Sequence, residues 1–77
     1  MTTYLKNLTA GESATITGFN QGNLFYRKKL LSFGLTPGTT FKVIRYAPMA
    51  DPIEIYVRGF NVTLRKNEAD LLKVVRL

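Results

Sequence analysis

The sequence contains no histidine, no cysteine and no tryptophan among its 77 residues. Imidazole and thiolate are the usual protein ligands of transition metals, so a tight site for such a metal is not expected. Disulfides are excluded because no thiol is present. Ser13 and Ser32 have no histidine to act as a base, which argues against nucleophilic catalysis. We therefore predict no catalytic residue, no metal site and no cofactor.

Long apolar runs and phosphate-binding loops are missing as well. No stretch approaches the roughly 20 apolar residues that a membrane-spanning helix needs. Residues 1–8 lack the basic flank and apolar run of a signal peptide. The glycines do not form the GxxxxGKS or GxxxxGKT pattern of a nucleotide-binding loop. We expect one small, soluble, cytoplasmic and non-enzymatic domain over residues 1–77.

Acidic residues are scarce. Five Asp and Glu stand against eleven Lys and Arg, which gives a net charge of +6 and a pI near 10.0. Such a chain favours anionic partners, namely nucleic acid, an acidic protein surface or anionic lipid, and charge alone does not choose among them. Asp51 is the best candidate for a weak oxygen ligand of a metal, but we favour a turn-capping role for it.

The residue pattern predicts an all-β fold. Residues 14–19 and 39–46 are rich in Thr, aromatic and β-branched side chains, and residues 53–58 alternate between apolar and polar. Residues 61–65 alternate again, residues 66–70 suggest one helical turn, and residues 71–77 are predicted to form a closing strand. Together they indicate a small barrel of five or six antiparallel strands with one short helix inserted after the first strand.

The inserted helix has clear start and stop signals. Asn20 or Asn23 is expected to cap its N-terminus. At the other end, Gly34 suits the left-handed conformation beyond a helix C-terminus, which lets Leu35 pack on Leu30. Further along, Pro37 forbids continuation of the helix, and the Pro37-Gly38 pair fits a type II turn. Helix, turn and strand are thus predicted to form one locked unit.

The chain resembles the ferrous iron transport protein A (FeoA) family over almost its whole length. The segments that carry the resemblance are Leu5-x-x-Leu8-x-x-Gly11-Glu12, Arg27-x-x-Leu30-Leu31-x-x-Gly34-Leu35-x-Pro37-Gly38, Arg45-x-Ala47-Pro48-x-x-Asp51-Pro52-Ile53 and Leu64-Arg65-Lys66-x-Glu68-Ala69. The residues expected to hold the fold are Arg27, Leu30, Gly34, Leu35, Pro37, Gly38, Pro48, Asp51 and Pro52.

This resemblance implies an SH3-like barrel that acts as a small cytosolic accessory to FeoB. FeoB is a polytopic inner-membrane protein that has a cytosolic GTPase domain and imports Fe²⁺. The implied location is the cytoplasm, peripheral to the inner membrane through that partner, and a third small Feo subunit is a further possible partner. A related module also occurs at the C-terminus of iron-dependent repressors, which keeps a regulatory role open.

The helix suggests a partner surface. On a helical wheel Phe25, Lys28 and Lys29 share a face, so we expect an exposed aromatic ring among lysines. Together with Met49 of the proline-bounded loop, this face is predicted to bind an acidic or amphipathic segment of FeoB. Arg27 is expected instead to support the fold by pairing with a carboxylate such as Glu12 or Glu68.

Two other interpretations stay open. Alternation places Tyr46 and Tyr56 outward beside Arg45 and Arg58, a mixture that small barrels use for peptides or single-stranded nucleic acid. The alternative function is therefore a basic barrel that binds single-stranded nucleic acid or a regulatory peptide. A third interpretation is a dimeric structural or chaperone-like subunit. We expect no specific nucleic-acid partner.

Overall fold

The computed structural model describes residues 2–77. In chain order the strands and α-helices are β1 (Thr2–Tyr4), β2 (Ser13–Phe19), α1 (Leu24–Ser32), β3 (Thr40–Tyr46), β4 (Ile53–Val57), β5 (Phe60–Leu64), α2 (Lys66–Ala69) and β6 (Leu72–Arg76). Short 3-10 turns cover Leu5–Asn7 and Pro48–Ala50. The prediction of an all-β fold with antiparallel strands is confirmed. The helix was predicted to follow the first strand. It follows the second, because the short strand β1, which was not predicted, comes before it.

The strands form one antiparallel sheet. Their order is β1-β6-β2-β3-β4-β5, so β1 and β5 are its outer strands within residues 2–77. The closing strand β6 lies between β1 and β2. The folded domain measures 26 × 24 × 24 Å along its principal axes.

One apolar core holds these elements together. On β4, the side chains of Ile53, Ile55 and Val57 are buried, as their alternation predicts. The other buried apolar residues come from nearly every element: Leu5, Leu8, Ala14, Ile16, Leu30, Leu35, Phe41, Val43, Leu64, Ala69, Leu71, Leu72 and Val74. Helix α1 contributes Leu30 to this set, and its Tyr26 is partly buried against the same core.

The two ends of α1 follow the predicted chemistry. Asn23 is the capping residue, because its side-chain oxygen accepts a hydrogen bond from the Phe25 N–H at 2.8 Å. Asn20 has a different role and donates to the Asp70 carbonyl at 2.9 Å. At the C-terminus, the Leu35 N–H donates to the Leu30 carbonyl at 3.1 Å, and Gly34 has φ +84°. This is the predicted Schellman motif.

The turn after α1 is also as predicted. The Thr39 N–H donates to the Thr36 carbonyl at 3.0 Å, and Gly38 has φ +92° between them. A positive φ at the third position is the mark of a type II turn, and Pro37 supplies the fixed φ at the second. After this turn, β3 pairs with β2 in the antiparallel direction.

Strand β3 contains an irregularity that the sequence pattern did not predict. Val43 pairs with Ile55 and Arg45 pairs with Glu54, so Ile44 is an extra residue in β3. A bulge of this kind reverses the alternation beyond it. Tyr46, which was expected to point outward, is therefore half-buried and packs against the core. The prediction of an outward Tyr46 is wrong.

Across residues 2–77, no helix has the length and apolar character needed to span a bilayer.

Candidate partner-binding surface

The outer face of α1 carries the exposed aromatic ring that the helical wheel predicts. Phe25 is 81% exposed at the first turn of the helix. Lys28 lies one turn further on and is exposed as well. Water contact over most of a phenyl ring is unfavourable, because burying such a side chain contributes about 1.5–3 kcal/mol. Phe25 is therefore an apolar contact available to a partner.

Lys29 of the same face has a partner within the chain. Its Nζ lies 2.6 Å from Oε2 of Glu68, which joins α1 to α2. Arg27 was expected to pair with Glu68 or Glu12, and this prediction is wrong. The reason is reach: Lys29 faces α2, whereas the Arg27 guanidinium lies over the Phe19 ring, 5.3 Å from its centroid. Glu12 pairs with Arg76 instead, at 3.1 Å.

Glu68 is the buried charge that organises this contact. Only 4% of its surface is exposed, and its Oε1 accepts a hydrogen bond from the Arg65 N–H at 2.9 Å. Burial by itself raises the pKa of the Glu68 carboxyl. The hydrogen bonds from Lys29 and the Arg65 N–H, with the charges of both side chains, together outweigh burial and leave this pKa lowered. Glu68 is thus a carboxylate that is satisfied from two directions.

The loop between β3 and β4 carries the second exposed apolar side chain. Met49 is 98% exposed and has φ +68°, a left-handed conformation that is uncommon for a residue with a side chain. The Ala47 N–H donates to the Pro52 carbonyl at 2.9 Å, and the Asp51–Pro52 peptide bond is cis. Pro48 stands at the start of the 3-10 turn that contains Met49. The hydrogen bond between Ala47 and Pro52 thus closes the loop, and Met49 is exposed to solvent between them.

Helix α2 contacts both α1 and the loop between β3 and β4. The Asp51 carboxylate accepts a hydrogen bond from the Lys66 N–H at 3.1 Å, which ties the loop to the first residue of α2. Glu68, two residues further on, binds Lys29 of α1. Asp51 thus bonds to the first residue of a distant helix, which differs from the capping of its own turn that the sequence favoured. We call Phe25, Lys28, Lys29 and Met49 the α1–loop surface.

The second predicted group lies around a separate cleft. A cavity of about 290 Å³ is lined by Arg45 and Tyr46 from β3, Glu54 from β4, Thr63 from β5 and the loop residues Ala47, Pro48 and Pro52. Its charges are balanced, because the Arg45 Nε donates to the Glu54 carboxylate at 2.8 Å. The cleft is therefore unsuited to strong attraction of an anion.

Tyr46 forms the inner wall of this cleft. Its hydroxyl donates to the main-chain carbonyls of Leu5 and Leu8, which are the first residue of the 3-10 turn after β1 and the residue that follows this turn. Burial raises the pKa of the Tyr46 phenol, and the negative charge of Glu12 raises it further. Tyr46 therefore connects the middle of the sheet to the N-terminal segment, a structural task that alternation alone did not suggest.

Tyr56 and Arg58 are not brought together with that pair. Tyr56 stands exposed on the outer face of β4, opposite Asn61 of β5. The Arg58 guanidinium turns back and donates to the Thr39 hydroxyl at 3.1 Å. Its aliphatic part lies beside Gly34, where an added Cβ would meet the Arg58 side chain at 3.4 Å. Arg58 thus contacts the end of α1. Of the two predicted tyrosines only Tyr56 is exposed, and the Arg45 side chain stays exposed beside Glu54.

Metal chemistry finds no support in the geometry of residues 2–77. Within them, no three acidic side chains converge into a group that could hold an ion. Glu12, Glu54 and Glu68 are each engaged by a basic side chain, and Asp51 is engaged by a main-chain N–H. The fifth carboxylate, Asp70, lies in the turn after α2 and receives no basic partner among these residues.

Sequence reasoning missed other exposed apolar residues. Leu24, Phe60 and Leu77 are 67%, 72% and 78% exposed. Phe60 was assigned to a turn, but it is the first residue of β5 and directly follows the two-residue turn of Arg58 and Gly59. The Gly59-Phe60 order was the available signal, because a strand begins right after a two-residue hairpin loop.

Comparison with known proteins identifies the family of this chain. A family model described as the FeoA domain matches residues 3–76 of the chain. The chain belongs to the FeoA family. This family is linked to ferrous iron transport, and the resemblance predicted from the sequence is confirmed.

One FeoA relative joins the domain to a transporter. It is the Fe(2+) transport protein A/Fe(2+) transporter FeoB fusion protein of Porphyromonas gingivalis, 33% identical over 70 residues. The match covers 91% of this chain and 8% of the relative, so the chain spans only a small part of that protein's length. In that organism the two units belong to one polypeptide.

Solved structures confirm the FeoA fold. A crystal structure of an iron uptake regulatory protein, FeoA, has a TM-score of 0.86 and 32% sequence identity, and the match covers 100% of this chain and 99% of that one. A manganese-dependent transcriptional repressor has a TM-score of 0.90 at 18% identity, over 99% of this chain and 41% of that chain. The second likeness shows the fold alone, which is the SH3-like barrel expected for FeoA.

Proposed function

We propose that this protein is a cytoplasmic, non-catalytic accessory of ferrous iron uptake that binds the cytosolic part of FeoB. The observation that carries the proposal is the relative in which FeoA and FeoB are one polypeptide. Covalent linkage keeps two modules at a high effective concentration, so a fusion is most useful when the modules act on each other. A binding surface on this domain would serve the same end.

The α1–loop surface is the part of the chain that we propose for this contact. Phe25 and Met49 are large apolar side chains that are exposed to water, and this exposure does not stabilise the monomer. Lys28 adds positive charge beside Phe25, and the whole chain carries a net charge of +6. An acidic, amphipathic segment would match both features. Residues 1–77 would act together as the binding domain.

Binding would influence FeoB by favouring one of its states. A ligand shifts a conformational equilibrium only as far as its affinities for the two states differ. This protein would therefore bind one conformation or assembly state of FeoB more tightly than the other. A third small Feo subunit would join the same complex. Fe²⁺ would pass through FeoB as cargo without a tight site on this chain.

A nucleic-acid function has less support. Its proposed contacts were Arg45, Tyr46, Tyr56 and Arg58, and three of these are engaged within the chain. Stacking platforms for single strands need exposed aromatic rings next to free cations. Of the two tyrosines only Tyr56 is exposed, and its cross-strand neighbour on β3 is the exposed Lys42, so one ring beside one cation remains instead of a row of several.

Copurification with FeoB tests the proposal. The full chain is expected to copurify with the FeoB of the same organism from solubilised membranes and to bind its isolated cytosolic part. The double substitution Phe25→Ala and Met49→Ala should weaken this binding about tenfold or more, because interface aromatics commonly contribute over 1.4 kcal/mol. Leu77→Ala is the matched control, since it also removes an exposed apolar side chain but lies outside the surface.

Two outcomes would count against the proposal. If the unmodified chain does not bind FeoB in membranes or in isolation, the function is wrong. If it binds but the double variant binds equally well, the function stands and the α1–loop surface is not the interface. Micromolar binding to a single-stranded oligonucleotide that falls steeply with salt would support the alternative function.

A further inference from the structure

Strand β5 is an outer strand of the sheet with an open side. It pairs with β4 on one side, and within residues 2–77 no strand pairs with its other side. Its five residues are Phe60–Leu64, with no Lys, no Pro and no bulge. Those are the features by which proteins usually protect a sheet edge from pairing with another chain. By contrast, the other outer strand, β1, has only three residues.

The hairpin turn determines which main-chain groups of β5 face outward. Arg58 and Gly59 have φ values of +52° and +88°, which makes a two-residue turn of type I′ between Val57 and Phe60. In such a hairpin the residues that flank the turn form a hydrogen-bonded pair, and paired positions then alternate along the strands. Val62 and Leu64 therefore bond to β4.

Asn61 and Thr63 consequently direct their N–H and C=O groups away from β4. Their side chains are exposed, and no main-chain hydrogen bond to these residues comes from a turn, a loop or another strand within residues 2–77. The spacing of two such residues along one strand is the template that an added antiparallel strand requires.

The side chains of β5 indicate what such a strand would look like. Phe60 is 72% exposed. Val62 lies on the same face of the sheet and packs only partly against the core. Alternate apolar side chains of an added strand would cover both. This gives a reason for the exposure of Phe60, which the fold itself does not explain.

Charge favours an acidic segment at one end. Arg65 and Lys66 directly follow β5 and are exposed, and the ion pairs found within residues 2–77 involve Lys29, Arg45 and Arg76 instead. A strand that runs antiparallel to β5 would begin beside Arg65 and Lys66. Carboxylates at its N-terminal end would therefore meet unpaired cations. A second copy of this chain is disfavoured, because it brings a further +6 of like charge.

We propose that β5 pairs with an extended segment of the cytosolic part of FeoB, which adds to the sheet as an antiparallel strand. The segment is apolar at alternate positions and carries carboxylates at its N-terminal end. This inference rests on the proposed function, and it specifies the form of the partner: an extended strand held by main-chain hydrogen bonds.

Thr63→Pro is the substitution that tests the edge. Proline removes the outward N–H of residue 63, and an edge strand tolerates proline where that N–H faces solvent. Thr63→Val is the matched control, because it keeps the N–H and the β-branched shape. Against the isolated cytosolic part of FeoB from the same organism, Thr63→Pro should bind about tenfold or more weakly and Thr63→Val within about twofold of the unmodified chain.

Amide hydrogen exchange on the unmodified chain provides a second measurement that does not depend on a variant folding. In the complex, the Asn61 and Thr63 amides should gain protection, whereas Val62 and Leu64 are already protected in the free chain. Among overlapping synthetic peptides of the cytosolic part of FeoB, the binding peptide should lose affinity severalfold when its acidic residues are changed to amides.

The outcomes separate the two proposals. If the unmodified chain does not bind FeoB, both are overturned. If it binds, but Thr63→Pro binds equally well and the Asn61 and Thr63 amides exchange as in the free chain, only the edge pairing is overturned. A concentration-dependent dimer that Thr63→Pro abolishes would identify a second copy as the occupant and overturn the acidic segment.

Discussion

The Lys29 ammonium and the Glu68 carboxylate lie 2.6 Å apart and connect the two α-helices of this protein. Glu68 is nearly inaccessible to water, whereas Lys29 is about half exposed, so the pair sits at the boundary of the interior. Helix α1 has a single fully buried residue, Leu30. The ion pair therefore adds to the contacts that Leu30 and the partly buried Tyr26 make between α1 and the core.

Replacing Glu68 with Gln should destabilise the protein. The amide keeps an acceptor for the Arg65 N–H but loses the charge that Lys29 binds, and hydrogen bonds to charged groups contribute about 1.5–3 kcal/mol. Because Lys29 is half exposed, we expect a loss of about 1–2 kcal/mol, with a decrease in Tm of about 4–8 °C per kcal/mol. Urea denaturation and thermal melting measure both values.

Lys28→Met is the control for this prediction. Lys28 is an exposed lysine of the same helix without an ion-pair partner within residues 2–77, so its loss should change stability by less than about 0.5 kcal/mol. A double-mutant cycle with Lys29→Met and Glu68→Gln isolates the pair itself. A coupling energy near zero would show that the two side chains meet without stabilising the fold.

Stability should fall in acid partly because of the same carboxyl group. The pKa of Glu68 is lowered in the folded protein, so its contribution is fully present above the unfolded pKa, about 4.3, and is lost as the pH falls through the folded value. The difference in unfolding free energy between the unmodified chain and Glu68→Gln should therefore be constant from about pH 6 to 7 and shrink below about pH 4.

Urea denaturation curves recorded between about pH 2.5 and about pH 7 measure this difference in unfolding free energy. Glu12 gives a remaining acid dependence in both proteins. Its pKa is lowered by the hydrogen bond from the Thr9 N–H, against a smaller opposing effect of burial, and also by the Thr9 hydroxyl and Arg76. Curves for the two proteins that stay parallel into acid would contradict the role given to Glu68.

Tyr46→Phe should destabilise the link between the sheet and the N-terminal segment. The substitution removes the hydroxyl that donates to the Leu5 and Leu8 carbonyls and leaves the ring in place. We expect a loss of about 1–2 kcal/mol, because the Leu8 carbonyl loses this donor, whereas the Leu5 carbonyl still accepts from the Leu8 N–H at 2.9 Å. Tyr56→Phe, on an exposed ring, should change stability by less than about 0.5 kcal/mol. Equal effects of the two substitutions in urea denaturation would refute this assignment.

Local backbone chemistry made much of the fold predictable. Gly34, Leu35, Pro37 and Gly38 act through dihedral preferences of their own residues, and the helix end and turn form as those preferences require. The alternation of β4 was equally reliable, because period two is a property of any half-buried strand. The family resemblance rested on the same segments.

Features that depend on tertiary contacts could not be predicted. The bulge at Ile44 arises from how β3 fits β4, and it reverses the side chain of Tyr46. Strand β1 has three residues, too few for a pattern to show. The partner of Glu68 was assigned to Arg27 instead of Lys29, because a helical wheel gives angles but not the position of the neighbouring helix.

The candidate surfaces were predicted in part for the same reason. Phe25 and Met49 were expected to be exposed and are 81% and 98% exposed. The open side of β5 was not foreseen, since the position of a strand within a sheet depends on the order of all strands. Sequence periodicity describes the two faces of a strand but carries no information about its two sides.

The short helix α2 is bound to two neighbouring elements, the loop between β3 and β4 and the helix α1. Asp51 holds its first residue, Lys66, and Lys29 holds its third, Glu68. Because both contacts lie on the same helical turn, a displacement of the Asp51 loop would disturb the N-terminus of α2, which is the turn that also positions Glu68 for Lys29.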